Sequence, residues 1–174
     1  MKKNTNVLVV FTWVILVYLV SILLNDLSEF NLSQFENFQN WTKIADKKTN
    51  GFLSRKIIEW SYYIICAGLF FWKGYLIYGF SYFLPILKEV ENGYYFSDKI
   101  IKYFKKIGDI FISYTIGVLI LKVFLVVIEK SVFNLFNELK SEFTFLIPVG
   151  FAFYILAEIF KQAKDVKAEN DLTI

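Results

Sequence analysis

Three ionisable side chains stand inside otherwise apolar stretches of this 174-residue chain: Lys73, Lys122 and Glu158. A charge at membrane depth costs about 2.5–3.5 kcal/mol on insertion scales, so such groups seek a partner, water or a lipid headgroup. At 1.5 Å per helical residue, Lys122 lies about 9 Å below the outer end of its segment, within reach of Glu59, Glu129 or Glu142. Lys73 and Glu158 both lie roughly 20 Å down by the same count, which predicts that they approach one another between the second and fourth helices. A polar site that binds a lipid headgroup or passes ions is one reading of the three. The other is snorkelling lysine stems plus a structural ion pair that fixes helix register. The second is favoured, because the sequence holds neither a chain of carboxylates nor a broken helix.

Other chemistry is excluded by composition. The chain has no histidine, which removes the commonest general base and metal ligand. Its single cysteine, Cys66, rules out disulfides within the chain and thiolate metal clusters. Cys66 falls in an apolar segment, where it reads as a small apolar residue. No glycine-rich phosphate loop, nucleophile elbow or zinc-protease helix is present. The sequence therefore predicts no enzyme, no metal and no cofactor.

The elements that position these residues are long apolar blocks. Hydrophobic residues make up 56% of the chain and aromatic residues 20%. A span across about 30 Å of hydrocarbon needs about 20 mostly apolar residues, since lipid offers backbone amides no partner. Four blocks qualify, which predicts an all-α integral membrane bundle with spans at about 7–24, 60–84, 108–128 and 143–160. Residues 1–160 form the membrane domain and 161–174 a cytoplasmic tail. The first block resembles neither a signal peptide, lacking a small-residue cleavage site after Ser21-Ile-Leu-Leu-Asn25, nor a soluble helix, since Leu8 to Val20 has almost no polar face.

Orientation follows from Lys and Arg beside the spans. With the N-terminus inside, the inner set is Lys2, Lys3, Lys88, Lys99, Lys102, Lys105, Lys106, Lys161, Lys164 and Lys167. The outer set is Lys43, Lys47, Lys48, Arg55, Lys56, Lys130 and Lys140. Ten against seven favours both termini in the cytoplasm. The outer loop 25–56 is polar and expected to lie on the membrane surface, and its Asn31-Leu-Ser33 and Asn40-Trp-Thr42 carry no weight as glycosylation patterns. The outer segment Val132 to Leu139, within loop 129–142, reads as a small interfacial helix.

The inner loop 88–107 has more structure. Glu91-Asn92-Gly93 reads as a turn, Ser97 as an N-cap, and Asp98 as the acid that complements the helix dipole. Ile100, Ile101, Phe104 and Ile107 then share one face, with Lys99, Lys102, Lys105 and Lys106 around it. This predicts a basic amphipathic helix leading into the third span, held against anionic lipid or offered to a soluble partner. Direct nucleic-acid binding is not expected at a net charge of +3. Gly68, Gly74, Gly79, Ser113 and Gly117 are expected where helices approach closely, in this chain or in a homo-oligomer.

Two stretches carry a resemblance: Leu87-Lys-Glu-Val-Glu-Asn-Gly-Tyr-Tyr-Phe-Ser97 with Asp98 to Gly108, and Val166-Lys-Ala-Glu-Asn-Asp-Leu-Thr-Ile174. Together they resemble a bacterial membrane family known as domain of unknown function 2975, from about Trp60 to the C-terminus. The resemblance implies a four-helix protein of the bacterial inner membrane, often encoded beside a small helix-turn-helix DNA-binding regulator. It assigns no catalytic residue.

The expectation is then a noncatalytic membrane protein, surrounded by membrane lipids, whose cytoplasmic face engages such a regulator. Phe96, Ser97, Lys102, Lys105 and Lys106 would supply one half of the docking surface, and Glu169, Asn170, Asp171 and Leu172 on a mobile tail the other. Glu169 and Asp171 are expected to pair with Lys102, Lys105 or Lys106. A small transporter using Lys73, Lys122 and Glu158 is the rival from another class.

Overall fold

The computed structural model describes residues 2–29, 55–129 and 132–172. Its elements run in the order α1 (Lys2–Glu29), α2 (Arg55–Ser81), α3 (Phe83–Glu91), α4 (Asp98–Glu129) and α5 (Val132–Leu172), with no strand among the described residues. Four of the helices, all but α3, are built on segments long and apolar enough to cross a membrane. The chain is a multi-pass membrane protein, an all-α four-helix bundle.

Local chemistry sets the breaks. Pro85 lacks a donor, and its ring would clash with the carbonyl four residues earlier, that of Ser81. The long helix therefore stops at Ser81 and restarts at Phe83, where Pro85 sits in a first turn that needs no donor. Tyr82 bridges the two, its N–H donating to Gly79 O at 3.2 Å. At the end of α3 the N–H groups of Asn92, Gly93 and Tyr94 donate to Lys88, Val90 and Glu89 carbonyls at 3.0–3.1 Å. Gly93 turns the chain with φ +84°, a conformation open to glycine because it has no Cβ.

The expected cap is present. Ser97 Oγ accepts the Ile100 N–H at 3.3 Å and donates to Glu89 Oε2 at 3.2 Å, so one hydroxyl starts α4 and ties it to α3. No glycine or proline interrupts residues 132–147, and the segment expected as a separate small helix, Val132 to Leu139, is the beginning of the 41-residue α5. The outer loop 30–54, with its two glycosylation patterns, lies outside the described residues.

Helices α2 and α4 are antiparallel, with Gly68 against Leu121, Trp72 against Gly117 and Gly79 against Ile110. A Cβ on Gly117 would stand 2.0 Å from the Trp72 ring, so the indole lies flat on bare backbone. Gly74 has open space around it and is no packing site, because it faces away from α4. The closest crossing is one the spacing did not single out. Gly108 on α4 meets Gly150 on α5, where a Cβ on the first would lie 3.0 Å from the carbonyl oxygen of the second. Small residues allow this approach, and dispersion between close backbones drives association where lipid removes the hydrophobic effect.

The core is lopsided. Ile86, Ile100, Ile101, Phe104, Ile107, Phe111 and Ala157 form one buried cluster, with Phe83, Phe153 and Phe160 packed against it. It joins α3, the first turns of α4 and the second half of α5. The apolar face of the basic helix is thus filled by protein rather than laid on lipid: Ile100 and Ile107 are 0% exposed. The expected interfacial helix is corrected because α3 and α5 cover that face from two sides.

Candidate functional site

The three charges in the apolar segments do not gather. Lys73 forms an ion pair with Asp26, in the last turn of α1. Glu158 sits 4.0 Å from Lys161 on its own helix. The expected Lys73–Glu158 approach is therefore wrong, and the reason lies in α1. That helix runs to Glu29, beyond the expected span end, and delivers a carboxylate that counting along α2 and α5 left out. The side chains of Glu59, Glu129 and Glu142, expected near Lys122, lie outside the described residues.

The loop before α4 and the end of α5 do come together. Tyr94, Tyr95 and Phe96 follow the Gly93 turn, and Phe96 packs on Phe160 of α5 at 5.6 Å between ring centres. Lys164 holds both Asp98 oxygens at 2.6 and 2.7 Å. Helix α5 continues to Leu172, so Glu169, Asn170 and Asp171 are helical and not a mobile tail. Between loop and helix lies a cleft of about 300 Å³, lined by Phe96 and Ser97 on one side and by Lys164, Lys167, Ala168 and Asp171 on the other.

Of the expected docking residues, Phe96, Ser97 and Asp171 thus share one cleft. Lys102, Lys105 and Leu172 are exposed, and Lys106 points elsewhere. The ion pair that closes loop on tail runs from Lys164 to Asp98, not from Glu169 or Asp171 to the lysines of α4. Asp98 was read as a helix-dipole acid, and nothing in the sequence marked Lys164 as its partner 66 residues away. Glu89 behaves similarly, holding Lys99 at 3.3 Å besides Ser97.

Lys106 lies on the side of α4 that meets the end of α2. Its ammonium stands 5.0 Å from the Tyr82 ring centre and 5.9 Å from that of Tyr78. The Tyr78 and Tyr82 hydroxyls hydrogen-bond to each other. Tyr103 packs on Tyr82 at 5.6 Å. On the opposite helix pair, the Tyr154 hydroxyl donates to Asp109 beside the glycine crossing. No group of three or more His, Cys, Asp or Glu side chains is placed to hold a metal ion among the described residues.

Residues 52–174 match the model of a family described as protein of unknown function (DUF2975). No curated protein and no solved structure matches.

Proposed function

The chain belongs to the DUF2975 family, and from that premise we propose that it is a noncatalytic protein of the bacterial inner membrane, with both termini cytoplasmic, that recruits a small helix-turn-helix regulator. The observation that carries the reading is the joint cleft. Residues 93–97 and 164–171 are far apart in sequence, carry the two stretches that resemble the family, and meet in one surface. That surface is built for contact. It offers exposed aromatics in Tyr94 and Phe96, cations in Lys164 and Lys167, and a carboxylate in Asp171, the mixture found at docking hot spots.

The geometry also gives the cleft a rigid back. Ser97, Glu89, Lys99, Asp98 and Lys164 tie α3, α4 and α5 into one frame, so little ordering entropy remains when a partner binds. The test is copurification from mild detergent. The intact chain is expected to bring down the regulator, and a chain lacking Glu169 to Ile174 to insert in the membrane without it. Unchanged recruitment by the truncated chain would sink the proposal.

A transporter reading needs Lys73, Lys122 and Glu158 around one water-filled path. Lys73 turns to Asp26 and Glu158 to Lys161, so no observation favours it.

A further inference from the structure

The cleft leaves one charged feature of the molecule unused. Lys102, Lys105 and Lys106 are exposed on α4, and each has a carboxylate near it in sequence. Asp98 lies four residues before Lys102, and Asp109 four after Lys105, spacings that place such groups as neighbours on a helix. Both are diverted across to α5, Asp98 to Lys164 and Asp109 to Tyr154, and Glu89 is held by Lys99 and Ser97. No carboxylate among the described residues lies within ion-pair distance of Lys102, Lys105 or Lys106.

Lys106 is instead held over aromatic rings, a contact that fixes an ammonium without neutralising it. Two phenols adjoin it. Because one hydroxyl of the Tyr78–Tyr82 pair donates to the other, one O–H remains to donate outward beside the Lys106 N–H groups. Tyr78 is 49% exposed, and the cluster opens to the outside of the bundle. Lys102, one turn before Lys106, adds a second cation on the same face.

The cluster also sits where apolar sequence gives way to charge, between the block that ends at Leu87 and the block that begins at Ile110. Tyrosines concentrate at that level in a bilayer, and basic groups between helices there take up anionic headgroups. From the cluster an aromatic track runs back along α2: Tyr78 on Tyr75 at 6.4 Å, and Tyr75 on Phe71 at 6.4 Å, with Phe71 exposed. We propose that Lys106, Tyr78 and Tyr82 form a site for the phosphate of an anionic phospholipid, with an acyl chain lying along Tyr75 and Phe71. The aromatic track selects a lipid over a free phosphate ion, which has no tail to place on it.

The test is binding of phosphatidylglycerol, phosphatidylcholine or inorganic phosphate to the full chain in neutral detergent, read by native mass spectrometry. Phosphatidylglycerol is expected to bind at least about tenfold tighter than phosphatidylcholine, the factor one charge-assisted hydrogen bond supplies. Lys106→Met and the double variant Tyr78→Phe, Tyr82→Phe should each remove about that factor, and Lys106→Arg should keep it. The phenylalanines preserve the ring packing, so their effect reads the hydroxyls and not the fold. Lys99→Met, which removes a lysine already paired to Glu89, should leave binding unchanged. Equal loss from Lys99→Met would show diffuse charge and overturn the site, as would unchanged binding by Lys106→Met. Displacement of the lipid by millimolar inorganic phosphate would overturn the lipid assignment.

Discussion

Helix α1 and the first turns of α4 are both helical and both rich in large apolar residues, yet they are built on opposite plans. Along α1 only Thr5 and Leu16 are buried, while Val7, Val10, Phe11, Trp13, Val14 and Val17 are exposed on every side. From Ile100 to Phe111, α4 buries Ile100, Ile101, Phe104, Ile107, Ile110 and Phe111 and turns its lysines outward. The first pattern suits a hydrocarbon solvent and the second suits water, with apolar side chains inside and charge outside. Length agrees: α4 with 32 residues and α5 with 41 run about 48 and about 62 Å, against about 30 Å of hydrocarbon. Their surplus lets the charged end of the hairpin stand clear of lipid as a small water-facing bundle. One chain thus carries a lipid-facing helix and a soluble-type core joined through α2.

That contrast can be broken by substitution, and the largest effect is expected at the buried end. Ile107→Ala should destabilise the protein by about 2–5 kcal/mol, through lost contacts and the cavity left behind, while Val14→Ala on α1 should stay within about 0.5 kcal/mol. Denaturant titration in mixed micelles measures both, and equal costs would erase the distinction. Next comes the glycine crossing that carries α4 against α5. Gly150→Val places methyls where a Cβ already stands 2.7 Å from Ile112 Cγ1 and 3.4 Å from Gly108 O, and should cost about 1–3 kcal/mol in the same titration.

Smaller effects sharpen what fastens α1. Asp26→Ala should cost about 1 kcal/mol by leaving Lys73 without its partner, and the double change Asp26→Leu, Lys73→Met should recover most of it, since apolar replacements of such pairs are often neutral. Proteolytic release or crosslinking of α1 to α2 would follow the same order. Smallest is Lys164→Ala, whose ion pair to Asp98 is largely exposed and contributes at most about 1 kcal/mol. Its effect should appear as faster amide exchange in α5 beyond Lys164 rather than as a lower unfolding midpoint.

The cap and turn before α4 were legible because each depends on neighbours within four residues: Ser97 on Ile100, Gly93 on Val90. The glycine contacts were half legible. Gly68, Gly79 and Gly117 sit on the face that α4 and α2 share, but Gly74 is the same residue type on the same helix and meets nothing. Which glycine matters is set by rotation about the helix axis, which composition does not carry. The candidate cleft was legible as two stretches and not as one surface, since Lys164 and Lys167 were read only as positive charge beside a span.

By itself the sequence determined the solvent of each segment. Four apolar blocks call for lipid, because an unpaired backbone amide has no other answer there, and their flanking signals set where helices start and stop. Only the tertiary structure decided the partners: Lys73 with Asp26 instead of Glu158, Asp98 with Lys164, and Lys106 with two tyrosines. The physical reason is that segment type is fixed by sums over neighbouring residues, whereas pairing between helices depends on axial offset and rotation. Both are set by close contacts such as Gly108 on Gly150. A shift of one turn, about 5.4 Å, exchanges one charged partner for another.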